Sequence, residues 1–319
     1  KPRRPPPTIR PRSCPQLTPV PGRLTSVDVF RGATMAAMVI VNTPGDWSNV
    51  YWPLLHADWH GWTPTDLIFP FFVFIVGVAI VLSKKSTAAP GPVFRRAAVI
   101  FGLGLLLALY PRFDFTTVRI MGVLQRLAVC YLAAVLVYRV GDRPLTARRR
   151  DLSPQLVVVI GVAAGLLIVY WALLTFVPPP GGVAGDLWPS GNLGAWIDRT
   201  VLGEAHLWRQ SKTWDPEGLL STLPAIASAL TGIAAGIILT SPRDASLKLR
   251  MLVISGAALA AAGWIWGLTF PINKNLWTSS YVLFTSGLAS LLLAFCYWIV
   301  DLRLRGVAAS AGQVALGET

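Results

Sequence analysis

Asp28, Arg31, Asn42, His56 and Asp66 lie at or near the ends of two apolar segments close to the start of this chain, with a short loop between them. Polar groups in or beside a bilayer are costly to keep, which makes them functional candidates by default. His56 is the leading one: an imidazole titrates near neutral pH and can take a proton from an attacking amine or hydroxyl, or itself accept an acyl group. Asn42, at the outer end of the first segment, can donate a hydrogen bond to a developing oxyanion. Asp58 and Asp66 are both near enough in sequence to orient the imidazole. A histidine that only anchors a wet interfacial loop is the plainer alternative.

Other polar residues carry weaker signals. Asp28 and Arg31 are three apart, hence on one helix face, and suit either a structural ion pair or the grip of an anionic cofactor. Arg126, in GVLQRLAVCY, begins an apolar segment and needs a carboxylate, carbonyls or a phosphate as partner. Asp198, Arg199 and His206 fall in a stretch, 178–218, longer than simple connection requires, and are candidates for a substrate entrance. Asp215, in DPEG, reads most simply as an acid at the positive end of the next helix. No phosphate-cradling glycine motif occurs, nor any HExxH or paired CxxC spacing for a metal. The three cysteines, Cys14, Cys130 and Cys296, form no disulfide framework.

The elements that must position these residues are membrane helices. The 319 residues are 54% hydrophobic and 13% charged, about half the charged share of a soluble domain. The fold class is therefore all-α, a polytopic integral membrane bundle. About 20 apolar residues span a bilayer as a helix, and eight segments qualify: 27–43, 65–82, 94–110, 121–138, 155–177, 219–240, 249–270 and 280–300. Residues 1–22 are rich in proline and arginine and are expected to be disordered, 23–302 to form the membrane domain, and 303–319 an atypical tail. The net charge of +13 would suggest nucleic acid in a soluble protein. Here it reflects topology, and no nucleic-acid partner is expected. Of 28 basic residues, six (Arg112, Arg119, Arg199, Arg209, Lys212 and Lys274) fall outside if the N-terminus is cytoplasmic. Arg31 and Arg126 lie within segments, and the remainder fall inside, as the positive-inside rule requires. The His56 loop is then outside, with 111–120, 178–218 and the PINKNLW turn. Many tryptophans line the same side, as an interfacial belt would.

The blocks SVDVFRG, VNTPGDW, HADWHGWTPTDLIFPFFVFIVG, GVLQRLAVCY, GNLGAWIDRTVLGEAHLW, DPEGLLSTLPAIASALTGIAAG and PINKNLWTSSYVLF together resemble the heparan-α-glucosaminide N-acetyltransferase family and its bacterial relatives, in family order. The resemblance implies a multi-helix enzyme moving acetyl from cytoplasmic acetyl-CoA to an amino-sugar or glycan across the membrane, with His56 and Asn42 as active-site residues. It leaves open whether the histidine is acetylated or acts as base. It further implies membrane lipid as surroundings, a bacterial inner membrane as location and a cell-envelope amino-sugar as acceptor, with oligomeric state open and a homodimer among the options. The ending DLRLRGVAASAGQVALGET departs from the family and suggests truncation after about residue 302. An amino-sugar transporter is the alternative from another class, although no paired helix breaks or internal repeat support it beyond Pro70. A non-catalytic remnant is the third.

Overall fold

The computed structural model describes residues 24–83, 90–141 and 154–304. The segment 1–22, Cys14 with it, and residues 305–319 of the tail lie outside the described residues. Nine α-helices occur among those described, and no strand. They are α1 (Thr25–Asn42), α2 (Ile68–Leu82), α3 (Pro90–Leu109), α4 (Val123–Gly141), α5 (Pro154–Phe176), α6 (Leu193–Leu202), α7 (Thr222–Thr240), α8 (Ala245–Trp266) and α9 (Ser279–Cys296), the last extended by a π-helical stretch, Tyr297–Leu304. Seven are long and apolar enough to cross a membrane, by length and composition: α2 with the short turn before it, α3, α4, α5, α7, α8 and α9 with its extension. The protein is a polytopic helical membrane protein.

The first of the eight expected segments forms as α1, but Asp28, Arg31 and Asn42 leave it less apolar than the other seven. Its outward residues Met35, Val39 and Ile40 are nonetheless exposed, as lipid-facing side chains would be. Asp28 and Arg31 pair at 2.7 Å. At the start of α1 the Asp301 carboxylate accepts from the Ser26 N–H at 3.0 Å, an acid at the positive end of a helix.

The helix α7 is the centre of the bundle, packing on α2, α4, α5, α8 and α9. Apolar residues alone do not drive helices together in lipid, where tails are as apolar as leucine; close backbone approach does. Gly77 of α2 and Gly232 of α7 permit it, because a Cβ on either would collide with backbone of the other helix, at Ala229 and Phe74 respectively. Pro70 sits in the first turn of α2, where a proline's missing N–H costs nothing, so it breaks no helix at mid-span.

Four loops, 43–63, 110–122, 177–221 and 267–278, meet at one end. Gly61 N–H donates to the Ile272 carbonyl at 2.7 Å, Trp59 Nε1–H to Leu187 at 2.9 Å, and Ile120 N–H to His206 at 3.2 Å. These are the loops that the pattern of basic residues assigned to a common side.

Candidate active site

The sequence around Asp66 builds a carboxylate pocket before α2 begins. Thr63 and Asp66 form a capping box around the 3-10 turn Pro64–Leu67, with proline at its first position, so both ends of the turn's first four residues are fixed reciprocally. Asp66 is 1% exposed, and Oδ2 accepts the N–H groups of Ala57 and Thr63, each at 3.0 Å. Oδ1 lies 2.7 Å from His56 Nδ1. The Thr63 hydroxyl donates to the Leu55 carbonyl at 2.6 Å, and the Tyr281 hydroxyl of α9 donates to the main-chain carbonyl of Asp66. The His56 side chain is 55% exposed. A proton on Nδ1 directed at Asp66 leaves Nε2 with a free lone pair at the open side, and the partner of one ring nitrogen sets the role of the other.

A third group completes this cluster. Lys274 Nζ is 2.9 Å from His56 Nδ1, 3.3 Å from Nε2 and 3.4 Å from Asp66 Oδ1. Burial pushes the lysine ammonium below its ordinary value, opposed by the Asp66 carboxylate. The turn carrying it is rigid. Asn273 is fully buried, accepts the Leu276 N–H at 2.9 Å and donates its own N–H to Thr278 Oγ1 at 3.0 Å. Trp277, at φ +53°, turns its indole inward to donate to Ser228 Oγ at 3.1 Å. His60 is a different histidine: the Asn273 amide faces its Nδ1 at 3.3 Å and burial pushes it down, and it belongs to the packing of the loops rather than to the His56 cluster.

A second charged cluster sits at the same end. Arg119 Nε donates to Asp215 Oδ2 at 2.8 Å, and its Nη2 reaches both Asp215 and Glu217. Burial opposes the charge on Arg119, and the two carboxylates overcome it and push the guanidinium up. Arg126 is fully buried; Nη2 donates to the Gly218 carbonyl at 3.2 Å and to Ser221, and the guanidinium lies 5.1 Å from the Trp277 ring centre. Arg126 Nε and Nη1 have no hydrogen-bond partner among the described residues. Asp198 is 3% exposed and accepts the Leu219 N–H at 2.8 Å; burial raises its carboxyl to about 6. Arg199 donates to the carbonyls of Thr213 and Ser190, and His206 Nδ1 lies 2.7 Å from the Val118 carbonyl.

Of the residues singled out by sequence, the structure therefore joins His56 to Asp66, while Asp58 is exposed and makes no bond to the imidazole. Asn42 is exposed and donates to the Met38 carbonyl of its own helix at 2.9 Å. Asp198, Arg199 and His206 tie loops together. Asp215 does not cap α7, which begins at Thr222; it is the anchor of Arg119 instead. Lys274 and Arg119 were missed as site residues, having served only as outer charges. The aromatic belt divides: Trp47, Tyr51, Trp52 and Trp188 are exposed, whereas Trp59 and Trp277 are buried and hold the loops in place.

Fold and site together define a polytopic membrane protein with a histidine–carboxylate–lysine centre at one end. Residues 23–173 match the family model described as heparan-α-glucosaminide N-acetyltransferase, catalytic. The chain is similar to human heparan-α-glucosaminide N-acetyltransferase, 33% identical over 90% of this chain and 50% of that protein, and to the mouse protein of the same name, 31% identical over 88% and 50%. The chain spans about half the length of the curated relatives it matches, and its resemblance to the heparan-α-glucosaminide N-acetyltransferase family is carried by residues 23–173, which match the catalytic model.

Proposed function

We propose that the chain is an integral-membrane acyltransferase that moves the acetyl group of acetyl-CoA to the amine of an amino-sugar or glycan, with His56 as the reacting imidazole. The observation that carries this reading is the His56–Asp66 pair: a buried, fully bonded carboxylate fixes Nδ1 and leaves Nε2 available on the open side. Asp66 orients and stabilises the imidazolium that forms when Nε2 takes the amine proton, or the acetylimidazolium if Nε2 is itself acetylated. The names of the relatives support acetyl as the group transferred and a glucosaminide as the acceptor class. Asn42 keeps an amide N–H and its carbonyl for substrate. The distribution of basic residues supports a cytoplasmic N-terminus and an extracytoplasmic site.

Purified protein in liposomes, given radiolabelled acetyl-CoA with and without glucosamine, tests the reading. Labelled N-acetylglucosamine formed by the wild type and lost in His56→Ala is the expected result. Glucosamine uptake without acetyl transfer would replace it with a transporter.

A further inference from the structure

Acyl transfer is accelerated by something that neither His56 nor Asp66 supplies: a hydrogen-bond donor or positive group beside the acyl oxygen, which gains charge when the carbonyl is attacked. Lys274 Nζ lies within 2.9 and 3.3 Å of the two ring nitrogens of His56. The Nδ1 proton already points at Asp66, 2.7 Å away. An ammonium almost equidistant from both nitrogens lies against the ring rather than along either lone pair, so Nε2 stays free to react with a cation at its side. We propose that Lys274 is a catalytic residue of this centre, its ammonium receiving the oxyanion that forms on the acyl carbonyl next to His56 Nε2. This rests on the acyltransferase reading above.

The step balances in both routes. In direct transfer the amine lone pair forms the N–C bond and the carbonyl π pair moves to oxygen, opposite Lys274. That pair then returns, the C–S bond breaks, CoA leaves as thiolate, and the amine proton passes to Nε2. In the two-step route Nε2 forms the bond to carbon first and thiolate leaves. The amine then attacks the acetylimidazolium carbonyl, the Nε2–C bond breaks, and the amine proton passes to the freed Nε2 or to the CoA thiolate. Each tetrahedral species puts a full negative charge on the same oxygen, within reach of a group 3.3 Å from Nε2. Donors fixed beforehand at such a position are the largest single catalytic term in acyl transfer.

Among the described residues, Lys274 is the cation that touches the imidazole: Arg119 is taken up by Asp215 and Glu217, Arg126 is buried behind Gly218 and Ser221, and Arg112, Arg209 and Lys212 on the same loops make no bond to His56. Nor is Lys274 placed as a simple counter-ion. It sits closer to the imidazole than to the Asp66 oxygen at 3.4 Å, and that carboxylate is already bonded by His56, Ala57 and Thr63. The rigid turn around Asn273 and Trp277 holds the lysine there before substrate arrives.

The experiment measures steady-state transfer from acetyl-CoA to glucosamine in liposomes for wild type, His56→Ala, Lys274→Met, Lys274→Gln and Lys274→Arg, with thermal melts of each. Lys274→Met is expected to lower kcat by about 10²–10³-fold with KM for both substrates little changed, and Lys274→Arg to recover at least tenfold of that loss. A folded Lys274→Met with near-wild-type kcat, or a loss confined to KM, overturns the assignment while His56→Ala still tests the acyltransferase reading separately. If the methionine variant does not fold, Lys274→Gln against Lys274→Arg decides the same question: equal rates overturn it. A wild type that binds acetyl-CoA and glucosamine but transfers nothing overturns the underlying reading and this inference with it.

Discussion

The two charged clusters where the loops meet use similar groups to opposite ends. Around Arg119, two buried carboxylates take up a guanidinium in a nearly closed set, and Arg126, Asp198 and Arg199 spend their groups on main-chain atoms of the same loops. Around Asp66, the carboxylate is equally buried and bonded, yet the His56 it holds is half exposed with Nε2 free. The Arg119 set closes its hydrogen bonding and ties residues 96 positions apart in sequence, although Arg126 beside it keeps Nε and Nη1 unpartnered in a buried position. The other leaves a lone pair facing outward beside a largely buried cation. Structural and reactive charge are thus told apart by what remains unsatisfied at the open side, since both are buried and both are paired.

The comparison breaks most readily at Asp66. Asp66→Asn keeps the shape of the pocket, but an amide can present N–H to Nδ1 and put the imidazole proton on the wrong nitrogen. Acetyl transfer by the folded variant is expected to fall on the order of 10²–10⁴-fold, read as kcat from labelled acetyl-CoA. Retained activity would mean that Asp66 is another structural carboxylate. Arg119→Met should do the converse. It strands Asp215 and Glu217 without their cation and is expected to cost roughly 3 kcal/mol of stability, seen as a lower midpoint in detergent unfolding. Activity per folded molecule at low temperature should stay within a fewfold of wild type. A variant of unchanged stability but lost activity would move Arg119 into the reactive cluster.

What the sequence made legible follows the same division. The membrane helices were readable because an apolar run such as PQLVVVIGVAAGLLIVYWALLTF has one home. Asp66 was readable, alongside Asp58, as a group that could orient His56, because it is ten residues away across a Thr-Pro-Thr-Asp turn whose chemistry is local, and the structure selects Asp66 of the two. Lys274 was not: its contact with His56 spans 218 positions and exists only once α9 and the 267–278 turn dock against α2. Asp215 misled for the mirror reason, because DPEG looks like a helix start and its true partner, Arg119, lies in another loop. The short helix α6 was passed over inside a long polar stretch, although Asn192 caps it by accepting the Ala195 N–H at 2.8 Å. Local chemistry can be read along the chain, whereas contacts made by docking need the bundle.

The smallest effect expected sharpens the comparison within the structural cluster. Burial raises Asp198 to about 6 from an ordinary carboxylate value, so its charged form is the one that folding disfavours. A raised carboxylic acid penalises the folded state above its folded pKa and ceases to do so as pH falls through it towards the unfolded value. Stability from this group should therefore increase on acidification from pH 7 to about 4, by something on the order of 1–3 kcal/mol. Asp198→Asn keeps an oxygen for the Leu219 N–H and removes the titration. It should be at least as stable as wild type at pH 7 and show no gain from this source on acidification, which paired unfolding curves at pH 7 and 4.5 would measure. If the variant is instead weaker at pH 7, the Asp198 charge is holding Arg126 or Arg199 by more than burial costs. The two clusters would then differ less than their geometry indicates.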